Sequence, residues 1–299
     1  MKMFNISASV GCNIGNEREN NEDNFYLNGR FKENPNEKNH ISLNSESNEQ
    51  IQVYAVCDGM GGEELGEIAS YVAVETLFKY HNEVFKSCNK SNIQKCIEQY
   101  IDDANERICE VADKLNKNCI GTTLALIVIY TDYMYVYNLG DSKIFFISPD
   151  EIIKLSTDHT KAQMLYESGV IDVDELENSP SRHVLTQHLG ISKNDRKISP
   201  SKVLFRLNKG DKFLICSDGV TDLLSENTLE EIIRDANNTE EAVHKIVDNS
   251  LSKGGIDNIT ALIINIEGKM DANKKKDIIK YFLIIVFLII IIIGIVLLF

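Results

Sequence analysis

Apolar residues fall into two rhythms along this chain. Short runs rich in Val, Ile, Tyr and Phe, bounded by turn residues, predict strands over Ile51–Cys57, Thr123–Tyr130, Tyr133–Asn138, Lys143–Ser148, Lys212–Cys216 and Ile259–Ile266. Thr131-Asp132 and Gly140-Asp141 separate successive runs, so those strands are expected to be antiparallel neighbours joined by tight turns. The second rhythm is helical. Ala69, Val72, Ala73, Thr76, Leu77 and Tyr80 mark one stripe within Glu67–Val84. Ile93, Ile97, Ile101, Ala104, Ile108, Val111 and Leu115 mark another within Ser91–Asn116. Both stripes read as core-facing, and a third helix is expected over Glu240–Leu251. Strands grouped in hairpins, with helices inserted in pairs, predict a layered α+β fold rather than a parallel doubly wound sheet.

The last stretch breaks both rhythms. Tyr281–Phe299 has no charge and is almost wholly Ile, Leu, Val and Phe. As a helix it would span roughly 28 Å, close to the hydrocarbon thickness of a bilayer, which predicts a transmembrane helix. Lys274, Lys275, Lys276 and Lys280 precede it, placing that side and everything N-terminal to it in the cytoplasm as a single-pass, tail-anchored protein. The expected organisation is a folded domain over 1–267, a basic linker over 268–280 and the transmembrane helix over 281–299. Met1–Val10 lacks the apolar core of a secretory signal. Asn28–Gln50, polar and Asn-rich, reads as a surface hairpin or loop; Thr157–Pro200, polar with weak helices, reads as a mobile insertion over a site.

Composition narrows the class of function. The chain has 299 residues, with 31 Lys+Arg against 45 Asp+Glu and a formal charge of −14. That balance disfavours a nucleic-acid partner, whose phosphates need a concentrated cationic surface. It suits a protein that gathers carboxylates around divalent cations, and equally one kept soluble by its charge. The seven cysteines are odd in number, irregular in spacing and without a C-x-x-C pair. They argue against a disulfide framework or a zinc site and for a reducing compartment. Cys57 and Cys216 end apolar runs and read as small core residues.

Four acids share one setting, at a strand end and close to glycine: Asp58 in Asp58-Gly59-Met60-Gly61-Gly62, Asp141 in Gly140-Asp141-Ser142, Asp218 in Ser217-Asp218-Gly219, and Asp257 in Gly255-Ile256-Asp257-Asn258. Asn21-Glu22-Asp23 adds two more, with Arg18 three residues before Asn21. One Asp-Gly is usually a turn. Four at strand ends can converge, and converging carboxylates repel unless cations neutralise them. Hard oxygen donors suit Mg²⁺ or Mn²⁺ rather than zinc, and the Gly59 carbonyl can itself be a ligand. Two such ions about 3.5–4 Å apart would share a water, lower its pKa and aim it at phosphorus. Arg18 offers a planar fork to two phosphate oxygens.

Taken in order, seven segments resemble the metal-dependent Ser/Thr protein phosphatase family, type 2C, in its compact bacterial form. They are Gly15-x-x-Arg18-x-x-Asn21-Glu22-Asp23, Asp58-Gly59-Met60-Gly61-Gly62, Gly121-Thr122-Thr123, Asn138-Leu139-Gly140-Asp141-Ser142, Leu185-Thr186-Gln187-His188-Leu189-Gly190, Ser217-Asp218-Gly219 and Asp257-Asn258-Ile259-Thr260. The resemblance covers Met3–Glu267. It implies two stacked antiparallel sheets flanked by helices, an αββα sandwich, with metals in a cleft at one end. It implies that Asp58 bridges both ions, with the Gly59 carbonyl on one, and that Asp218 and Asp257 complete the other. Glu22 and Asp23 match acids that hold metal-bound waters, Arg18 matches the phosphate clamp, and Asp141 with Asp218 matches a third, weaker metal site. Thr157–Pro200 matches the variable flap.

The implied activity is hydrolysis of phosphoserine and phosphothreonine in proteins by a metal-bridging hydroxide, in one step and at the cytoplasmic face of a membrane. No phosphoenzyme is expected, because no activated Cys or His nucleophile is evident. Met60 stands where some members carry a histidine that protonates the leaving alkoxide. The general acid is then a metal-bound water or, alternatively, His159, whose other reading is a structural role at the flap base. His188 is expected to pack or hydrogen-bond in a turn. Expected partners are phosphoproteins, membrane lipid around the C-terminal helix and a membrane Ser/Thr kinase as opponent. An inactive phosphoprotein-binding adaptor and a phosphatase of small metabolites are the rival classes.

Overall fold

Phe4, Ile6, Ala8, Val10 and Cys12 alternate with polar or small residues, and all five are buried. This period-two set forms strand β1 (Phe4–Asn13) and faces the middle of the molecule. The computed structural model describes residues 3–61, 65–117, 120–148, 151–192, 194 and 196–269. After β1 come β2 (Asn24–Leu27), β3 (Arg30–Phe31), β4 (Ile41–Ser47), β5 (Ile51–Cys57) and the short β6 (Gly59–Gly61). Helices α1 (Gly66–Glu83) and α2 (Ile93–Lys114) follow, then β7 (Ile120–Thr122), β8 (Leu124–Tyr130), β9 (Tyr133–Leu139), β10 (Lys143–Ile147) and β11 (Ile152–Lys154). Two small helices, α3 (Lys161–Glu167) and α4 (Val173–Glu177), precede β12 (Ser201–Arg206) and β13 (Lys212–Cys216). The described chain closes with α5 (Asp218–Thr221), α6 (Glu226–Asp235), α7 (Thr239–Ser252) and β14 (Ile259–Lys269).

The strands make two six-stranded antiparallel sheets, ordered β11-β10-β13-β14-β1-β4 and β12-β9-β8-β5-β2-β3, with β6 and β7 as a separate pair. Alternation along β5 shows how the layers form. Tyr54 and Val56 join Phe25, Ile127, Val10, Phe213 and Leu262 in the core between the sheets. Val53, Ala55 and Cys57 point the other way, onto Ala73, Leu77, Ile97, Ile101 and Ala104 of α1 and α2. On the far face of the first sheet, Leu214, Cys216 and Ile263 pack against Leu229 and Ile233 of α6 and Val243 and Ile246 of α7. Strands buried on both faces are why the sequence shows continuous apolar runs rather than alternation. The layers are therefore helix, sheet, sheet, helix, which is the expected α+β sandwich.

The six anticipated strands and three anticipated helices are present, with ends displaced by at most a few residues. Thr131 adopts a left-handed conformation (φ 59°) in the β8–β9 hairpin, and Gly140 does so (φ 96°) in the next turn. Asn28–Gln50 is more ordered than a loop: it holds β3 and the edge strand β4, whose half-buried and exposed residues alternate. Gly268 and Lys269, placed in the linker by sequence, continue β14 and pair with Asn5 and Phe4. The expected transmembrane helix over 281–299 lies outside the described residues, and among the described residues no helix is long and apolar enough to cross a membrane.

Candidate active site

The acids sit on the connections at one end of the two sheets. Asp58 directly follows β5, Asp141 follows β9, Asp218 opens α5 just after β13, and Asp257 precedes β14. Glu22 and Asp23 lie on the link between β1 and β2. Backbone contacts fix each carrier. The Asp58 N–H donates to Thr123 Oγ1 at 2.9 Å, while Thr123 N–H and Thr122 Oγ1 donate to the Asp58 carbonyl at 2.8 and 2.9 Å. Asn258 stitches the two ends of the domain together: its Nδ2 donates to the carbonyls of Ile14 (2.8 Å) and Asn20 (2.9 Å), and its Oδ1 accepts from Glu22 N–H at 2.7 Å. Ser70 Oγ of α1 donates to the Glu22 carbonyl at 2.6 Å. Beneath the same loop, the fully buried Lys32 donates to the Asn21 carbonyl at 2.5 Å.

The carboxyls act on one another. Burial, then the charges of Asp23, Asp218, Asp141 and Asp257, pushes Asp58 well above the usual carboxylate range. Asp23 is pushed up to about 7 by burial; the hydrogen bond from Ser217 and the nearby Thr260 hydroxyl pull against that, and Asp218 and Asp257 add to it. Asp141 is likewise pushed up to about 7, by burial and then by Asp218. Glu22 rises through burial and the charge of Glu67. Asp218 goes the other way: burial would raise it, but the contact with His183, the charges of His183 and Lys143 and the neighbouring Asp58 carboxyl hold it below the usual range. Ser217 Oγ donates to Asp23 Oδ2 at 2.7 Å, while Asp23 Oδ1 is buried without a hydrogen-bond partner. An orphaned buried carboxylate oxygen among mutually repelling acids fits a cation ligand, and an all-oxygen donor set suits a hard divalent ion.

Arg18 sits at the rim, with 51% of its side chain exposed, and its Nη2 contacts Asp257 Oδ2 at 2.6 Å. Asp23, Asp58, Asp141, Asp218 and Asp257 thus form one cluster with Glu22 and Arg18 on its border. The Gly59 backbone lies against Glu22 and Gly66, leaving no room for a side chain: a Cβ there would come within 2.1 Å of the Gly66 carbonyl oxygen. His159 takes the structural alternative. Its Nδ1 accepts from Gly140 N–H at 3.3 Å and its N–H donates to the Gly140 carbonyl at 2.9 Å, tying the flap base to the turn that carries Asp141. His188 hydrogen-bonds the Leu189 carbonyl through Nδ1 at 2.8 Å, the expected turn role. Cys57 packs against α1 and α2, and burial raises its thiol, so it offers no nucleophile.

The flap brings in residues that the sequence did not single out. Arg182 Nη2 lies 3.2 Å from Asp222 Oδ2, and His183 Nδ1 lies 3.4 Å from Asp218 Oδ2. One donor atom from each of Asp141, His183 and Asp218 lies within 4.8 Å of the other two. These residues line a cleft of about 660 Å³ that also includes Lys143 and Asp158. His183 sits in a polar stretch without periodicity, and nothing local to it points to the cleft.

Residues 35–253 match the protein phosphatase 2C family. The chain belongs to that family. The matched range contains Asp58, Asp141 and Asp218, while Arg18, Glu22, Asp23 and Asp257 join them in space from outside it. This phosphatase is 28% identical to the serine/threonine phosphatase stp of Listeria innocua over 220 residues, 73% of this chain and 86% of the relative. It is 25% identical to the serine/threonine phosphatase Stp1 of Staphylococcus aureus, with a TM-score of 0.74 over 87% of this chain and 95% of that one. It shares its fold with the catalytic domain of the phosphatase PstP in complex with two manganese ions, at 22% identity and a TM-score of 0.70 over 88% of this chain and 99% of that one. It is a metal-dependent protein serine/threonine phosphatase of the 2C type, with stacked antiparallel sheets between helices.

Proposed function

We propose that the acid cluster holds two Mn²⁺ or Mg²⁺ ions through Asp58, the Gly59 carbonyl, Asp218, Asp257, Glu22 and Asp23, and uses them to remove phosphate from phosphoserine and phosphothreonine in proteins. The observation that carries this reading is the gathering of four aspartates around Asp58, with one buried Asp23 oxygen unpartnered. The oxygen donor set and the manganese named with PstP support the choice of ion. When bound, the ions would neutralise the acids, polarise the phosphate and supply an activated water. Arg18 binds two phosphate oxygens with N–H groups of its half-exposed guanidinium and holds the phosphorus over the cluster. Thr122 and Thr123 keep the Asp58 backbone from moving, and Ser217 orients Asp23. Asp141, Asp218 and His183 form a weaker third cation site, which links the flap to occupancy of the cleft.

The catalytic domain runs through Lys269, the end of β14, and is followed by the basic linker over 270–280 and a membrane-spanning helix over 281–299 that keeps the domain at the cytoplasmic face. The uncharged apolar run and the four lysines before it support this arrangement. Confinement to a membrane raises the effective concentration near membrane-bound phosphoproteins, and a membrane Ser/Thr kinase is the natural opponent. The test is hydrolysis of a phosphothreonine peptide by purified protein with added Mn²⁺, set against a panel of small phosphorylated metabolites. Peptide turnover that chelator abolishes is expected. A folded sample that binds the peptide but releases no phosphate with either metal would overturn the enzyme reading.

A further inference from the structure

Two cysteines away from the acid cluster lie in unusual proximity. Cys88 ends the 3₁₀ turn Phe85–Ser87 that follows α1, with its N–H on the Phe85 carbonyl at 2.9 Å. Cys96 stands in the first turns of α2. Their Sγ atoms are 2.8 Å apart. That separation is shorter than a non-bonded contact of about 3.5 Å and longer than a disulfide bond of about 2.05 Å. A small rotamer adjustment closes it. Cys88 is buried and Cys96 half-buried, so only the second meets solvent readily. Burial, then Cys96, pushes the Cys88 thiol up to about 12, and burial likewise raises the fully buried Cys12, Cys57 and Cys216, which leaves Cys96 as the accessible member of the pair.

We propose that Cys88 and Cys96 are a redox modification site, which a peroxide converts reversibly into an intramolecular disulfide. Cys96 is the entry point. Its thiolate attacks one oxygen of hydrogen peroxide, the O–O bond breaks, hydroxide leaves and a sulfenic acid forms. Cys88 then attacks that sulfur; the S–S bond forms, the S–O bond breaks, and water departs with the Cys88 proton. Two thiols and one peroxide give one disulfide and two waters. Thiol–disulfide exchange with a small thiol reductant reverses the step. In a reducing compartment the pair rests as thiols, like the other cysteines among the described residues.

The bond would tie the turn after α1 to the start of α2. Glu22 and Gly59 pack against Gly66, at the other end of the 18-residue α1 and about 27 Å away along its axis. The staple therefore stiffens the helical layer without touching the acids. The test treats the full chain, in detergent, with hydrogen peroxide, blocks remaining thiols with N-ethylmaleimide and maps unreduced peptides by mass spectrometry. A Cys88–Cys96 cross-link lighter by two hydrogens and reversed by dithiothreitol is expected. It should be accompanied by a melting temperature higher by about 5 °C and peptide turnover within about twofold of the reduced protein. Cys96→Ser should lose both the cross-link and the shift, and Cys88→Ser should leave a Cys96 sulfenic acid that dimedone traps. Oxidation of Cys96 to the sulfinic acid with Cys88 still alkylatable, or a cross-link to any other cysteine, would overturn the proposal.

Discussion

Asp58 is where the charges of the cluster meet, because four other aspartates raise it and its backbone is clamped from both sides by Thr122 and Thr123. Asp58→Asn is expected to lower kcat on the order of 10³-fold, about 4 kcal/mol of barrier. In chelator the same variant should melt above the wild type, because one buried like charge has been removed. Activity assays together with melting curves in EDTA check both halves, and a lower melting point without loss of activity would contradict them. Ser217→Ala removes the donor to the buried Asp23 and is expected to cost about 1–3 kcal/mol in denaturant unfolding. The site was unevenly legible. Acids next to glycine at strand ends could be read because chemistry and fold signal coincide at one position. His183, Arg182 and Asp222 could not, because they reach the cleft only through the path of the flap, to which local spacing is blind.

At the scale of elements, α1 docks on the second sheet partly through His81, which is buried and hydrogen-bonded to Tyr26 Oη at 2.9 Å. Burial, then the charge of Lys86, pushes His81 down to about 4. Its folded pKa lies below the unfolded value of about 6.5, so its contribution is complete above pH 6.5 and is lost as the pH falls from there towards 4. Between those limits the wild type should lose about 2–3 kcal/mol more than His81→Phe, as measured by urea unfolding at several pH values. The start of α5 is coupled to β14 by close approach. A Cβ on Gly219 would come within 2.0 Å of the Asn258 carbonyl oxygen. Gly219→Ala should therefore push Asp218 and Asp257 apart and cut turnover about 10²-fold, with a weaker dependence on Mn²⁺. Elements with continuous apolar runs, such as β5 and β8, were legible because burial on both faces leaves a plain trace. β1, β2, β12 and α6 were not singled out: Ser, Asn and Gly dilute β1, β2 has four residues, and β12 is an exposed edge strand in which Lys202, Val203, Leu204 and Arg206 are all open to solvent, without alternation.

For the whole molecule, a charge of −14 and a cluster of buried acids make cation binding a stabilising reaction. Mn²⁺ at 100 times its Kd should add about 2.7 kcal/mol and raise the melting temperature by several degrees, and chelator should reverse it. Asp58→Asn should show little of this shift. Removing residues 270–299 is expected to release the protein from membranes on fractionation while leaving peptide turnover unchanged. The order of the sheets has one more effect. β14, the last strand described, does not add to an edge but inserts between β13 and β1, in the interior of its sheet, and it follows directly on Asp257 and the stitching Asn258. A ribosome must therefore deliver nearly the whole domain before the sheet can close and the acids can meet. A nascent chain lacking that strand, and with it a settled Asp257 and Asn258, is expected to show no hydrolytic activity, so competence waits on the last strand described.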